Sequence, residues 1–325
     1  MKAAVTGAAG FIGSHLVELL LSQGHDVVGI DNLEVGREKN LPQSEKFEFF
    51  HIDISAQPDL LRRALKDVDT VYHLAARADI VPSIELPQRY YEVNVTGTLN
   101  ICQASHIAGV KTIIYAASSS CYGIPDSFPT DENAVIRPQY PYALTKRLGE
   151  ELVLHWGMVY GMRTISLRFF NVYGTRARTS GTYGAVFGVF LAQKLASVPY
   201  TVVGDGCQTR DFTYVTDVAN AIVTVGSQGV NNNIYNIGSG NTVSINKIVQ
   251  LLGGDYINIP KRPGEPDCTF ADITKVTTDT NWKPTISIEH GIELMLDNID
   301  YWRDAPVWNA DSIASATKSW FKYLA

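Results

Sequence analysis

Tyr142 and Lys146 stand four positions apart in the segment Tyr142-Ala143-Leu144-Thr145-Lys146. On a helix, positions i and i+4 share a face, so the phenol and the ammonium are expected to be neighbours. A positive charge beside a phenol favours phenolate and lowers its pKa from the reference value of about 10. Tyr142 then becomes a proton acceptor and donor usable near neutral pH. Alone, such a pair also arises by chance as surface decoration. Upstream, however, the β-branched run Thr112–Ala116 leads into Ala117-Ser118-Ser119-Ser120-Cys121-Tyr122-Gly123. The carboxyl end of a buried parallel strand is where open α/β sheets bind ligands, and a hydroxyl delivered there could join the Tyr–Lys pair.

A second constellation lies at the N-terminus, in Thr6-Gly7-Ala8-Ala9-Gly10-Phe11-Ile12-Gly13. Glycines let a backbone turn sharply and approach a pyrophosphate without a Cβ in the way. A helix starting near Phe11 offers unpaired N–H groups and the positive end of its dipole. The loop follows a strand-like run and precedes a helical one, which is the context a dinucleotide site needs. The next strand ends at Asp31-Asn32. A carboxylate there accepts hydrogen bonds from a ribose diol and repels a 2′-phosphate, so NAD is expected rather than NADP. The plainer alternative is a turn cap. Asp53-Ile54, closing the run Phe47–Ile54, is a candidate to face the adenine. A nicotinamide held beside Ser118, Tyr142 and Lys146 would make a proton-and-hydride site.

These residues need elements to place them. The runs Lys2–Thr6, Asp26–Ile30, Thr70–Leu74, Thr112–Ala116 and Thr164–Phe169 read as buried parallel strands. Helical patterns lie between them: Ser14–Ser22, ending at Gly24, and longer ones over 88–108 and 142–160. Strand–helix alternation implies a Rossmann-type doubly wound parallel sheet. The predicted organisation is an NAD-binding domain over 1–174 with a return segment at about 208–237, and a smaller mixed α/β domain from 175–207 and 238–325. Arg176–Val203 reads as one helix between polar loops. In the tail, Asp311 or Ser312 is expected to cap a helix whose aromatic residues cover the smaller domain.

Composition sets the class. With 325 residues and 45% hydrophobic, 18% charged and 10% aromatic residues, the chain is neither disordered nor a mini-protein. A net charge of −6 argues against nucleic acid as partner. The four Cys form no CxxC pair, so reduced thiols of a cytoplasmic protein are expected, with no zinc or other metal site. No apolar run approaches the length of a membrane span. Glycines break the N-terminal apolar run and a folded pattern follows it, against a signal peptide.

The whole pattern resembles the extended short-chain dehydrogenase/reductases of the nucleotide-sugar epimerase/dehydratase family. The resemblance runs from the glycine loop through His73-Leu74-Ala75-Ala76, Asn94-Val95-Thr96-Gly97-Thr98, the serine run and Tyr142–Lys146. It continues in Arg168-Phe169-Phe170-Asn171-Val172-Tyr173-Gly174, Gly204-Asp205-Gly206, Thr209-Arg210-Asp211-Phe212, Arg262-Pro263-Gly264-Glu265 and Ala271-Asp272. It implies NAD held by the loop, Asp31, Asn32, Asp53, Ile54 and Leu74–Ala76, with Lys146 also on the nicotinamide ribose. It implies that Ser118 bonds the reacting sugar oxygen, with Ser119 less certain and Asn94 structural. Asn171, Arg210 and Arg262 would meet the nucleotide diphosphate, and Asp79, Val186 and Thr269 the substrate. Arg geometry suits phosphate, although a surface ion pair is the alternative for both arginines.

Family members share a first step in which tyrosinate takes a hydroxyl proton while the sugar C4 hydride moves to NAD. The 4,6-dehydratases follow their serine or threonine with Asp-Glu; here Ser119 and Ser120 stand there and cannot act as an acid–base pair. The glutamate that decarboxylases carry in this run is also missing. The resemblance therefore implies a 4-epimerase of a UDP-hexose, UDP-glucose or galactose, with room for an N-acetyl group because Thr269 replaces a bulky pocket residue. Alternatives are a UDP-glucuronate 4-epimerase, for which Arg77 and Arg176 could meet the carboxylate, a 4,6-dehydratase, a 4-keto reductase, or a non-enzymatic NAD sensor. The family also implies a homodimer through the helices at 88–108 and 142–160.

Overall fold

The computed structural model describes residues 1–177 and 184–324. Seven strands form one sheet in which every neighbouring pair is parallel. The first six are β1 (Lys2–Thr6), β2 (Asp26–Asp31), β3 (Phe47–His51), β4 (Thr70–His73), β5 (Thr112–Ser118) and β6 (Arg163–Phe169). The seventh, Asn233–Ile237, lies outside β6, and the order across the sheet is Asn233–Ile237, β6, β5, β4, β1, β2, β3. Order reverses between β1 and β4, which places the ligand crevice of such a sheet above their carboxyl ends.

Strand residues alternate between two cores. Ala3, Val5, Tyr72, Ile114 and Leu167 face one side, and Ala4, Val28, Val71, Ile113 and Tyr115 the other. Burial on both faces is why these runs read as continuous rather than alternating. Helices Phe11–Ser22 and Val215–Gln228 cover the first side, and Gly97–Ala108 and Pro141–Tyr160 the second. The expected strands are all present, within a residue or two at their ends. The 88–108 pattern is interrupted by a π-helical stretch, Glu92–Thr96. The segment near 208–237 does return to the sheet, through the strand Asn233–Ile237.

A third core, with Phe187, Phe190, Tyr200, Ile248, Met295 and Trp302, belongs to the C-terminal part. There the single helix expected over Arg176–Val203 is not formed. The helix spans only Val186–Leu195, and Tyr200–Val203 is a strand paired in parallel with Tyr256–Ile259. The run Tyr-Thr-Val-Val favours a strand, and Ser197 has a positive φ of 55° that stops the helix before it. Residues 178–183 of that expectation lie outside the described residues. In the tail, Asn309 rather than Asp311 or Ser312 is the N-cap: its side chain accepts the Ser312 N–H while Ser312 accepts the Asn309 N–H.

Candidate active site

One cleft of about 720 Å³ runs over the carboxyl ends of the central strands and is closed on its other side by the C-terminal part. The glycine loop is its floor. Gly7 has φ +73° and lies so close to the Leu74–Ala75 backbone that an added Cβ would meet Ala75 N at 3.0 Å. Gly13 is tighter: a Cβ would lie 2.0 Å from the Gly7 carbonyl. The helix that follows starts at Phe11 with Gly10 as N-cap, without side-chain cap or first-turn acid. Its unsatisfied N–H groups and dipole therefore face the cleft uncompensated.

Asp31, the last residue of β2, accepts the N–H of Ala9 at 3.0 Å and of Leu33 at 2.8 Å. Burial pushes its carboxyl pKa up, against these bonds. Asp53 lies beyond β3, where burial would raise its pKa. Bonds from Ser55 and Arg89 outweigh that and hold it below the usual range. The Asn32 amide donates to Asp53 at 3.4 Å, so the two sit together. Ile54, Leu74, Ala75 and Ala76 also line the cleft, and Thr6 Oγ1 fixes the turn by accepting the N–H groups of Leu74 and Ala75 at 3.1 and 3.0 Å.

Ser118 ends β5 and Tyr142 lies in the first turn of Pro141–Tyr160, and both line the cleft. Burial raises the Tyr142 pKa, the Ser118 bond opposing it. The net shift is upward, opposite to what the spacing with Lys146 suggests. The Lys146 ammonium lies 4.3 Å from the centroid of the Tyr115 ring, and burial pulls its own pKa down to about 7 against the charge of Glu150. Both members of the pair are desolvated, so each drifts toward its neutral form. Glu150 is fixed in turn: Arg168 donates to it at 2.8 Å and Ser166 at 2.8 Å, with Arg147 as a further partner.

Asn94, in the π-helical stretch, accepts the Arg77 N–H at 2.8 Å and donates to Arg77 O and to Thr145 Oγ1, each at 3.0 Å. It ties the loop after β4 to the Tyr142 helix. On the opposite wall, Arg210 donates to Glu265 at 2.9 Å and Arg262 lies 3.7 Å from the same carboxylate. Both guanidinium groups thus converge on one acid, an ion pair at the edge of the cleft. Thr269 donates to Asn171 at 2.7 Å, and Asp79 and Val186 line the same cleft. Ser119 lines it too. Arg77 is paired with Glu34, and Arg176 with Glu18 at 2.5 Å.

Sequence reasoning missed several lining residues. Arg37 and Asn40 follow Asp31 and bond Ala9 O, each at 3.0 Å, and Tyr301 covers them from the tail side. Nothing in the local pattern marks these. Tyr140 and Trp320 also line the cleft. The tail aromatic residues are expected to cover the smaller domain; Trp320 reaches the cleft as well. Among the described residues no three His, Cys, Asp or Glu side chains gather as a metal site, and no helix is long and apolar enough to cross a membrane.

Residues 3–238 match the model of the NAD dependent epimerase/dehydratase family. A UDP-glucose 4-epimerase of Mycolicibacterium smegmatis is 34% identical, over 90% of this chain and 96% of its own. A UDP-glucuronic acid 4-epimerase of Bacillus cereus, solved with UDP-glucuronic acid and NAD, is 34% identical with TM-score 0.85, covering 93% of this chain and 99% of that one. A UDP-N-acetylglucosamine 4-epimerase of Methanobrevibacter ruminantium, solved with UDP-N-acetylmuramic acid, is 30% identical with TM-score 0.85, over 91% and 98%. The family model spans well over half of the chain and these relatives match it nearly end to end, so the chain, with its glycine cradle, the acid at the end of β2 and Ser118 and Tyr142 in one cleft, belongs to the NAD dependent epimerase/dehydratase family.

Proposed function

We propose that the protein is a 4-epimerase of UDP-hexoses, taking UDP-glucose or UDP-galactose and, with Thr269 small beside Asn171, their N-acetylated counterparts. The observation that carries this reading is that Ser118, Tyr142 and Lys146 line one cleft, beside a serine run without any carboxylate. Ser118 and Tyr142 can exchange a proton with a sugar hydroxyl, while Ser119 and Ser120 cannot drive elimination of water. The relatives are named for three different UDP-sugars, so the hexose is this proposal's own choice.

The glycine loop and the helix from Phe11 would hold the pyrophosphate of NAD, Asp31 a ribose diol, and Lys146 the nicotinamide ribose. The bound cofactor supplies a hydride acceptor and donor and a positive charge beside the phenol. Tyr142 takes the proton of the C4 hydroxyl, with Ser118 bonding the same oxygen, and returns it after the 4-keto sugar has turned its other face. Arg210 and Arg262 would anchor the diphosphate, exchanging Glu265 for it, so that the sugar can rotate while the nucleotide stays fixed. In this reading residues 1–174 with 208–237 carry NAD, and 175–207 with 238–325 the nucleotide sugar. Two copies would pair through the helices Gly97–Ala108 and Pro141–Tyr160, whose outer faces expose Ile107, Leu144, Met158 and Val159. The free thiols suit a cytoplasmic setting.

The test is to add UDP-sugars to purified protein and follow interconversion of C4 epimers by NMR. Turnover lost in Tyr142→Phe with NAD retained is the expected result. Release of a 4-keto-6-deoxy product, stoichiometric use of reduced cofactor, or no turnover of any nucleotide sugar would each replace this reading.

A further inference from the structure

The last helix, Lys318–Tyr323, has no part in the mechanism above, yet it is tied to both halves of the molecule. On the side of the NAD-binding half, the Ser319 hydroxyl donates to Glu85 at 2.8 Å, and Glu85 ends the helix Ile80–Glu85. The Trp320 ring meets Tyr140 there, with centroids 6.3 Å apart at 48°. On the side of the C-terminal half, the Trp320 indole N–H donates to Pro263 O at 2.7 Å. The Arg262 guanidinium lies over the Trp320 ring, 5.4 Å from its centroid. Trp320, Tyr140 and Arg262 all line the cleft.

The second set of ties falls on one turn, Arg262-Pro263-Gly264-Glu265. Pro263 O takes the indole N–H, and at Gly264 an added Cβ would meet Leu324 O at 3.6 Å, so the tail packs along the turn that carries Arg262. The acid beside Arg262 is Glu265, at 3.7 Å, and Arg210 donates to the same carboxylate at 2.9 Å. If a diphosphate displaces Glu265, Arg262 loses that ion pair at the moment of binding. A long side chain released in this way regains rotamer freedom, which opposes binding. An aromatic face holds a guanidinium without neutralising it, so the charge stays available to a phosphate.

We infer that Trp320 is a positioning residue whose ring holds the Arg262 guanidinium in the cleft, which makes the C-terminal helix part of the diphosphate-binding site. The inference deepens the proposed function and rests on its placing of the diphosphate at Arg262.

Titration of the NAD-containing protein with UDP is the test. Trp320→Leu is expected to weaken UDP binding about 3- to 30-fold, the range of a guanidinium–ring contact. Trp320→Phe keeps a ring and loses the bond to Pro263; its UDP affinity should stay within about 3-fold of wild type. In an Arg262→Ala background, Trp320→Leu costs nothing further, because the group it positions is gone. A tail with a purely structural role would weaken UDP binding equally with and without Arg262, and that result overturns the inference. Wild-type affinity in Trp320→Leu overturns it too, as do equal losses in the Phe and Leu variants.

Should Trp320→Leu fail to fold, fluorotryptophan labelling decides. The fluorine resonance of Trp320, identified by its absence from Trp320→Phe, is expected to move when UDP saturates the wild-type protein and to stay in place when UDP saturates Arg262→Ala. The same movement in both proteins overturns the inference. UDP bound without turnover of any UDP-sugar sinks the epimerase reading alone, whereas a wild-type protein that binds no UDP sinks both.

Discussion

The Asp31 carboxylate grips the Ala9 amide at 3.0 Å across the turn between β1 and the first helix, joining the acid at the end of β2 to the glycine loop. The same carboxylate leaves no room for a side chain at position 36, where a Cβ would lie 2.9 Å from either oxygen. In the proposed reading, replacing Asp31 by Ala removes the acceptor for a ribose diol and the charge that repels a 2′-phosphate. NAD affinity is expected to fall about 10- to 100-fold, and the preference over NADP to shrink. Calorimetric titration of cofactor-stripped protein with both dinucleotides measures it. An unchanged NAD/NADP ratio would remove Asp31 from the ribose site.

Gly13→Ala tests the cradle itself. The added methyl would sit 2.0 Å from the Gly7 carbonyl, with backbone rather than a flexible side chain as the obstacle. A cost of about 1–3 kcal/mol is expected, together with loss of bound NAD. Thermal melting and the NAD content of the purified protein report both. Full NAD occupancy would mean the loop does not hold the pyrophosphate.

Turnover should separate the two hydroxyls. Tyr142→Phe is expected to lose about 10²- to 10⁴-fold in kcat, the usual contribution of a positioned proton carrier. Ser118→Ala should lose less, because Tyr142 can still reach the sugar oxygen. Single-turnover reduction of bound NAD by substrate distinguishes loss of proton transfer from loss of sugar binding.

The lysine gives a pH dependence of stability. Burial holds the folded pKa of Lys146 at about 7, below the unfolded reference of about 10.4. Between those values the unfolded chain binds more protons, so this group's contribution rises with pH through the window and is lost as pH falls through about 7. Relative to Lys146→Met, the cofactor-free wild-type protein should therefore be weakest near pH 6, about one unit below that window, and regain most of the difference by about pH 10, near its upper end. Chemical denaturation of both proteins across this range is the check; a constant difference between them would show that Lys146 keeps its proton throughout.

Arg210 and Arg262 share Glu265. Changing either to Ala should weaken UDP binding about 10-fold or more, each guanidinium–phosphate bond being charge-assisted, while NAD binding is untouched. Titration with UDP separates this from a purely structural ion pair, for which UDP affinity would not move.

Local chemistry made much of this protein legible in its residues. The continuous β-branched strands follow from burial on two faces, and the glycine loop from its place between a strand and a helix. Ser118, Tyr142, Asp31 and the two arginines, singled out by their motifs, all line one cleft. What spacing could not decide was how burial acts on that cluster. The Tyr142 pKa lies above its ordinary value despite the i, i+4 lysine, because desolvation acts on both groups, and the ammonium lies over Tyr115. The helix expected over Arg176–Val203 gave way to a strand because Tyr256–Ile259 offers a partner from far along the chain. Trp320 and Tyr301 reach the cleft only because the tail folds back across it, and Tyr140 meets the last helix there through Trp320. Short-range periodicity carries the elements; contacts between distant segments, and the solvent they exclude, set which side chains share a site and how readily each gives up a proton.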